Sequence, residues 1–192
     1  MGNLSGWSAS NANFKTLTMT VLQHLKDRHL NLELHRPFVC ENEGTATFIL
    51  YSLSGKLVGY QQYRPGADKK PYNHPKESKY YTYRKQPTHA PWGVESLFVS
   101  SGAVFLTEGL FDSARMTYHN RSSLASLCNN PPKDFKNFLQ CLARPVVAVC
   151  DADSAGRKLA YFGDYVEVVP EGKDLGDAPD DYVYYLLNKY SS

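Results

Sequence analysis

The stretch PVVAVCDADSAGRK, residues 145–158, joins an unbroken apolar run to two acids and a turn. An apolar run bounded by a turn is typical of a strand buried on both faces of a parallel sheet. The spacing of Asp151 and Asp153 puts both carboxylates on one side of an extended chain. Because two such carboxylates repel each other unless a cation lies between them, the stretch predicts part of a Mg²⁺ or Mn²⁺ site at the end of a buried strand.

Apolar runs and amphipathic stretches alternate from residue 96 to the end of the chain. Strands are predicted at residues 96–99, 103–106, 123–128, 145–150 and 165–169, and helices at 111–119, 131–142, 154–162 and 180–190. Strands that alternate with helices predict a parallel, right-handed βαβ sheet with helices on both faces. Counted from Ala103, this sheet has four strands, and the fold class is α/β.

The first half of the chain predicts a smaller α+β unit. An amphipathic helix is expected from Phe14 to about Leu30, and a β-hairpin is expected from Thr45–Leu53 and Lys56–Tyr63. The predicted division is a flexible terminus at 1–13, a basic N-terminal lobe at 14–95 and an α/β domain at 96–192.

Basic residues and tyrosines alternate between Lys56 and His89. This segment has eight Lys and Arg, two acids and six tyrosines. Cations for phosphates and aromatic rings for bases are typical of a single-strand-binding surface. A solvated loop whose tyrosines only pack fits the composition equally well. The candidate contacts are Arg64, Lys69, Lys70, Lys79, Tyr80, Arg84 and Lys85.

Acidic residues follow three of the four strands counted from Ala103. They are Glu108 after the first, Asp151 and Asp153 after the third, and Asp174 and Asp177 after the fourth, with Asp112 one turn into the helix after Glu108. Carboxylates that converge at one sheet edge hold one or two divalent metals in phosphoryl and nucleotidyl transfer. Asp112 and Asp177 fit equally well as helix caps or turn formers.

Composition excludes several classes of protein. The four cysteines form no Cys-x-x-Cys pair, so we expect free thiols in a reducing cytoplasm and no zinc ribbon. No apolar run approaches the ~18 to 20 residues of a membrane span. The halves differ in charge, because residues 1–103 hold 12 Lys and Arg against 7 acids, whereas residues 104–192 hold 9 against 12. This asymmetry favours a phosphate-rich partner for the first half and bound cations for the second.

Two motifs carry a family resemblance. Glu108-Gly109-x-x-Asp112 and Asp151-x-Asp153-x-x-Gly156-Arg157-Lys158 resemble the Toprim signature of bacterial-type primases, topoisomerases and certain nucleases. The variant is most similar to primases, because residues 172–177, GKDLGD, resemble their Gly-Lys-Asp-Pro-Asp-Glu segment. The similarity covers roughly residues 45–185.

The resemblance implies both a fold and an activity. It implies a Toprim-like sheet and Mg²⁺- or Mn²⁺-dependent RNA primer synthesis on single-stranded DNA, from ribonucleotides, in phage or bacterial DNA replication. A separate replicative helicase or zinc-binding template-recognition factor would be a partner, and the location would be the cytoplasm, the host's if the protein is phage-encoded. By the resemblance Glu108, Asp151 and Asp153 are catalytic, those three with Asp112 and Asp174 hold one or two metal ions, and Arg157 and Lys158 meet phosphate.

Departures from the primase pattern leave two alternatives. The chain has no zinc ribbon and no Gly-x-x-x-x-Gly-Lys-Ser/Thr loop, and its segment before the Toprim motifs is short. A Toprim nuclease would use the same metals with water in place of a 3′-hydroxyl. A non-catalytic Toprim adaptor or nucleic-acid-binding module would keep the fold alone. A topoisomerase is disfavoured because no room is left for a domain with a nucleophilic tyrosine.

Overall fold

The computed structural model describes residues 19–69, 74–85, 87–128, 130–152, 154–170 and 173–191. The predicted flexible terminus, the first turns of the predicted amphipathic helix, Lys70 and Asp153 lie outside these residues. Within the part of the chain that is described, no helix is long and apolar enough to cross a membrane.

The first half of the chain forms two short helices on a four-stranded antiparallel sheet. Its elements are α1 (Val21–Asp27), α2 (Leu32–His35), β1 (Phe38–Cys40), β2 (Thr45–Tyr51), β3 (Leu57–Tyr63) and β4 (Tyr80–Arg84). The strands lie in the order β1-β2-β3-β4, and every neighbouring pair is antiparallel. The predicted hairpin is confirmed as β2 and β3, and the structure adds a strand on each side of it.

Helix α1 is fixed to the sheet through its exposed backbone donors. The Glu41 carboxylate, in the turn between β1 and β2, accepts hydrogen bonds from the backbone N–H groups of Val21 at 2.8 Å and Leu22 at 3.0 Å. The Thr20 hydroxyl accepts a third from Gln23. Because the first turn of a helix has no internal partners for its N–H groups, these contacts determine where α1 begins and how it lies on the sheet.

The connection between the two halves differs from the sequence prediction. Residues 96–99 were predicted as a strand, which is wrong, since Val94–Phe98 forms a 3-10 helix. Gly93 has φ +91°, a conformation that turns the chain sharply and suits glycine. The buried Ser96 then bonds through its side chain to the backbone of Ser123, at 2.7 Å to its carbonyl and 2.8 Å from its N–H. The Ser96 side chain therefore makes the two backbone hydrogen bonds to Ser123 that a paired strand would otherwise make.

The second half is the predicted parallel sheet with helices on both faces. Its elements are β5 (Val104–Thr107), α3 (Leu110–Tyr118), β6 (Ser123–Ala125), α4 (Lys133–Cys141), β7 (Val146–Cys150), α5 (Ser154–Leu159), β8 (Tyr165–Val168) and α6 (Asp180–Lys189). The strand order is β6-β5-β7-β8, with all pairs parallel. The predicted fold class is confirmed.

Alternation along β5 and β7 divides the apolar side chains between two cores. Phe105 and Val147 pack with residues of α3 and α6 on one face of the sheet. Leu106 and Ala148 pack with α4 and α5 on the other. Both strands are buried on both faces, and their residues are apolar except for Thr107 at the end of β5, as the continuous apolar runs indicated.

The two halves share one core. Phe111 of α3 packs against Tyr63 of β3, with ring centroids 4.8 Å apart, in a cluster that also holds Phe48 and Trp92. A backbone bridge joins Trp92 to Ala125 at the end of β6. The domain boundary predicted at residues 95 and 96 falls inside the 3-10 helix Val94–Phe98 and stays a prediction. The shared core holds the antiparallel sheet against the carboxyl end of the parallel one.

Close packing of β3 on β4 requires a glycine at position 59. A Cβ atom there would overlap the carbonyl oxygen of Tyr83 on β4. We expect Gly59→Ala to lower the free energy of unfolding by about 1–3 kcal/mol, measured by urea denaturation. Gly55→Asn is the matched control, because Gly55 has φ +76° and open space around it, and asparagine tolerates this conformation. Equal stability of the two variants would contradict the prediction.

Candidate active site between the two sheets

The acidic motifs meet at one edge of the parallel sheet. Glu108 follows β5 directly and Asp151 follows β7 directly. Because β5 and β7 are paired and parallel, their carboxyl ends lie side by side, and so do the two acids. This edge is where open α/β sheets bind ligands.

A cleft of about 280 Å³ lies between this edge and the antiparallel sheet. One wall is acidic and carries Glu108, Asp112, Asp174 and Asp177. Lys69 and Lys79 form the basic wall on the side of the antiparallel sheet, and Arg28 lies beside the acidic wall in an ion pair with Asp177. Gln61, Tyr80, Gly109, Phe111 and Leu127 complete the lining. The cleft therefore places carboxylates that suit a cation opposite cations that suit a phosphate.

Asp112 binds two backbone segments at once. Its Oδ2 accepts a hydrogen bond from the N–H of Gly109 at the start of α3, and its Oδ1 accepts one from the N–H of Gly176, both at 2.9 Å. Burial, together with the charges of Asp174 and Asp151, raises the pKa of Asp112 to about 6, against the lowering effect of the two hydrogen bonds. Asp112 thus serves as the helix cap that its sequence position allowed; its role as a metal ligand stays a prediction.

The segment after β8 brings two more acids into the cleft. The Asp174 carboxylate accepts a hydrogen bond from the N–H of Asp177 at 2.9 Å and caps the 3-10 helix Leu175–Asp177. Leu175 is buried in the core below. This short helix presents Asp174 beside Asp112, and the repulsion between them appears in the raised pKa of Asp112.

Arg28 is the site residue that sequence reasoning missed. It follows α1, and its Nη1 donates to Asp177 Oδ1 at 2.8 Å, across 149 residues of sequence. Its guanidinium carbon lies 4.7 Å from the centroid of the Phe111 ring. Basic residues are common at the C-terminal ends of helices, where they interact with the last carbonyl groups. The local sequence therefore gave no sign that Arg28 has a role beyond that of a helix cap.

Gly156 allows α5 to begin directly beside Asp151. A Cβ atom at this position would overlap the Asp151 carbonyl oxygen and lie 2.9 Å from the Asp151 nitrogen. The glycine of the Asp-x-Asp-x-x-Gly motif therefore lets the backbone fold back on the first acid. This close approach fixes the direction in which the chain leaves β7.

The donor set suits a hard divalent cation. Oxygen ligands from carboxylates on neighbouring strand ends are what Mg²⁺ and Mn²⁺ prefer. Among the described residues, no three His, Cys, Asp or Glu side chains form a group that could hold a metal by themselves. Asp153, the second acid of its motif, lies outside those residues. The predicted ligands Glu108, Asp112, Asp151 and Asp174 thus meet at one edge, and their joint coordination stays a prediction.

The residues predicted to contact nucleic acid are only partly brought together. Lys69, Lys79 and Tyr80 line the cleft. The Arg64 side chain instead donates to the carbonyl oxygen of Lys76 at 2.6 Å, and Arg84 lies opposite Gly59 on the side of the sheet that faces the core. Lys85, Arg157 and Lys158 are exposed. The predicted strip is therefore several surfaces rather than one.

His89 and Cys128 form a half-buried pair beyond β6, next to the cleft residue Leu127. The His89 Nδ1 and the Cys128 sulfur are 3.8 Å apart, and the His89 ring packs 4.5 Å from the ring of Phe135. Burial, together with the charge of Arg84, lowers the pKa of His89 to about 4. Burial raises the pKa of the Cys128 thiol. Both groups are neutral at pH 7, which suits a packed pair better than a reactive one.

Known structures share this fold. The DnaG primase catalytic domain bound to ssDNA aligns with a TM-score of 0.56 at 16% identity, over 85% of this chain and 61% of that one. The Aquifex aeolicus primase structure, with zinc-binding and RNA polymerase domains, aligns with a TM-score of 0.55 at 21% identity, over 88% and 48%. The RNA polymerase domain of Mycobacterium tuberculosis DnaG in complex with double-stranded DNA gives 0.57 at 17%, over 76% and 53%.

These matches establish the fold, which is that of the DnaG catalytic core. The chain spans about half the length of the solved primase chains that it matches. No protein-family model and no curated protein sequence matches it. At identities of 16–21%, the likeness lies in the arrangement of strands and helices.

The lowered pKa of His89 predicts an acid-side loss of stability. The pKa of His89 is about 4 in the folded state, against an ordinary histidine pKa of 6.5, so the unfolded chain takes up the proton first as the pH falls. Stability is therefore lost between about pH 6.5 and pH 4. We expect His89→Gln to lose less free energy of unfolding than the wild type between pH 7 and pH 5, measured by urea denaturation. His74→Gln, at an exposed position, should follow the wild type.

The contact between Gly156 and Asp151 predicts a role in metal binding. We expect Gly156→Ala to displace Asp151 and to weaken Mn²⁺ binding about 10- to 100-fold by titration calorimetry. Gly44→Asn, in the open turn before β2, should bind Mn²⁺ like the wild type. Unchanged affinity in a folded Gly156→Ala variant would show that Asp151 is not a ligand.

Proposed function

We propose that this chain catalyses divalent-metal-dependent nucleotidyl transfer on single-stranded DNA, in the manner of RNA primer synthesis. The cleft with its acidic and basic walls carries the proposal. Nucleotidyl transfer needs a metal at the attacking and leaving oxygens, together with cations for the triphosphate and the template backbone. The cleft offers both kinds of group across one cavity, in a fold shared with primase catalytic cores.

We assign metal binding to the acids at the carboxyl edge of the parallel sheet. Glu108, Asp151 and Asp153 would hold one or two Mg²⁺ or Mn²⁺ ions, with Asp174 as a supporting ligand and Glu108 also placed to exchange a proton. The bound metal would supply charge neutralisation at the reacting phosphate and activation of the attacking hydroxyl. Asp112 holds the start of α3 and the segment at Gly176 in register, which positions Glu108 and Asp174.

The basic wall is assigned the substrates. Lys69 and Lys79 would contact the phosphates of a ribonucleotide or of the template, and the exposed edge of the Tyr80 ring would pack against a base or sugar. Arg28 also lines the cleft, and its guanidinium would add positive charge near a bound phosphate while it pairs with Asp177. Arg157 and Lys158, at the surface of α5, would meet phosphate further from the cleft.

The proposed setting is phage or bacterial DNA replication in the cytoplasm, with a separate helicase or template-recognition factor as partner. A nuclease is the rival activity, because the same metal ligands would serve an attacking water. Labelled single-stranded DNA incubated with Mg²⁺ or Mn²⁺, with and without the four ribonucleotides, separates the two. New ribonucleotide-containing product supports primer synthesis, and shortened DNA supports the nuclease. Neither product, with no divalent-ion binding at millimolar concentration, would leave a non-catalytic module.

Replacing Asp151 tests the proposed metal ligands. We expect Asp151→Asn to reduce primer synthesis at least about a hundredfold, since a metal contributes several kcal/mol to the transition state. DNA binding should stay the same or strengthen, because a negative charge is removed beside the template. Glu43→Gln, the matched loss of an exposed carboxylate in the turn before β2, should keep full activity. Full synthesis by Asp151→Asn would refute the proposal.

A further inference from the structure

The tyrosines of β3 and β4 are divided between two faces of the antiparallel sheet. Tyr63 and Tyr80 pair across the strands and face the core, where their ring centroids lie 4.8 Å and 6.5 Å from the ring of Phe111. Tyr60 and Tyr83 form a second cross-strand pair on the opposite face, with ring centroids 5.5 Å apart. The face that carries Tyr60 lies on the other side of the sheet from the cleft.

The outward face is an aromatic surface over the four strands. The Tyr81 ring lies 6.4 Å from that of Tyr60, so Tyr81, Tyr60 and Tyr83 form a continuous row. Cross-strand pairing continues the face through Ile49 and Thr47 to Phe38 on β1, which is 67% exposed. Tyr83 is 46% exposed, and no residue of the row belongs to a core cluster among the described residues. Tyr60 and Tyr81 are half-buried, whereas Tyr83 and Phe38 are exposed, so the row is partly accessible from solvent.

Cations lie at both ends of this row. Lys85 follows β4, its N–H bonds to the carbonyl of Val58, and strand alternation carries its side chain to the face of Tyr83. Lys56 precedes β3 at the same end, and Arg64 follows β3 at the other. Lys56 and Lys85 are exposed, whereas the Arg64 side chain donates to the carbonyl oxygen of Lys76. The two lysines at one end of the row therefore supply positive charge that a phosphate backbone complements.

We propose that the outward face of the antiparallel sheet, formed by Phe38, Tyr60, Tyr81 and Tyr83, is a stacking platform for single-stranded nucleic acid. A four-stranded sheet whose exposed aromatic side chains stack two or three bases is an established solution for binding single strands. Strand β3, from Leu57 to Tyr63, is about 20 Å long, which is enough for a segment of two or three nucleotides. Stacking does not depend on base identity, so the platform would hold template of any sequence.

The platform is separate from the cleft and acts without its metal. It rests on the proposed function only in that both bind a nucleic acid strand. Lys69, Lys79 and Tyr80 lie on the cleft side, whereas Lys85, Tyr60 and Tyr83 lie on the outward side. A nucleic acid strand held on the platform would stay close to the cleft. If the same strand also bound weakly in the cleft, the two contacts together would raise its overall affinity for the protein.

Binding of a fluorescent 12-nucleotide oligo-dT in EDTA, measured by anisotropy, tests the platform. The double variant Tyr60→Leu/Tyr83→Leu keeps apolar side chains on the strands and removes the rings. We expect its affinity to fall at least about fivefold, because stacking contributes about 1 kcal/mol or more per base. The control Tyr184→Leu/Tyr185→Leu removes two exposed rings from α6 and should bind like the wild type.

Photocrosslinking of the wild-type chain locates the strand without relying on a variant. An oligonucleotide with 5-iodouracil should crosslink to Tyr83 or Tyr81, identified by mass spectrometry of the peptides. Crosslinks to Tyr80 alone, or unchanged affinity of the double variant, would overturn the platform. A change in oligomeric state of the double variant, with unchanged affinity for DNA, would assign the face to contact between copies and would also overturn it.

The two proposals fail separately. If the wild type makes primers and the double variant binds DNA normally, the cleft function stands and the platform falls. If crosslinks form at Tyr83 but no primer or cleavage product appears, the platform stands and the catalytic proposal falls.

Discussion

The cleft depends on the buried carboxylate of Asp112. It joins the start of α3 to the 3-10 helix Leu175–Asp177 through one hydrogen bond to each backbone. The cost is visible in the pKa of Asp112, which burial and the charges of Asp174 and Asp151 raise to about 6. A neutral side chain would avoid this cost, but it would not accept two N–H donors so strongly. The arrangement exchanges some stability for a fixed distance between the loops that carry Glu108 and Asp174.

The parallel sheet could be predicted because each of its central strands is recognisable from a few consecutive residues. Residues 104–106 and Val146–Cys150 are buried on both faces, so each segment is an unbroken apolar run, and an acid follows within two residues. The edge that carries Glu108 and Asp151 then follows from parallel pairing alone. Arg28 could not be predicted, because its ion pair with Asp177 joins residues 149 positions apart and follows from how α1 packs.

The composition of the chain identified the basic, tyrosine-rich segment, but it did not predict which of these side chains lie on the same face of the sheet. In a strand, one residue of register decides whether a side chain points to the cleft or away from it. Tyr80 and Tyr81 are neighbours in sequence, yet Tyr80 lines the cleft and Tyr81 belongs to the outward row. The register is set by pairing with β3 and by Gly59, which lets β4 approach closely. Strand alternation therefore divides one segment of basic and tyrosine residues between two surfaces on opposite faces of the sheet.

The charges of the cleft also couple ligand binding to the stability of the fold. Carboxylates from α3 and from the segments after β5, β7 and β8 converge, and Arg28 offsets one of them through its ion pair with Asp177. The remaining repulsion opposes the folded state and is absent when the chain is unfolded and the acids are far apart. A divalent cation that binds only the folded arrangement relieves this repulsion and stabilises it by mass action. The mutual repulsion of these acids thus opposes the fold, and the shared core of Phe48, Tyr63 and Phe111 helps to hold them together.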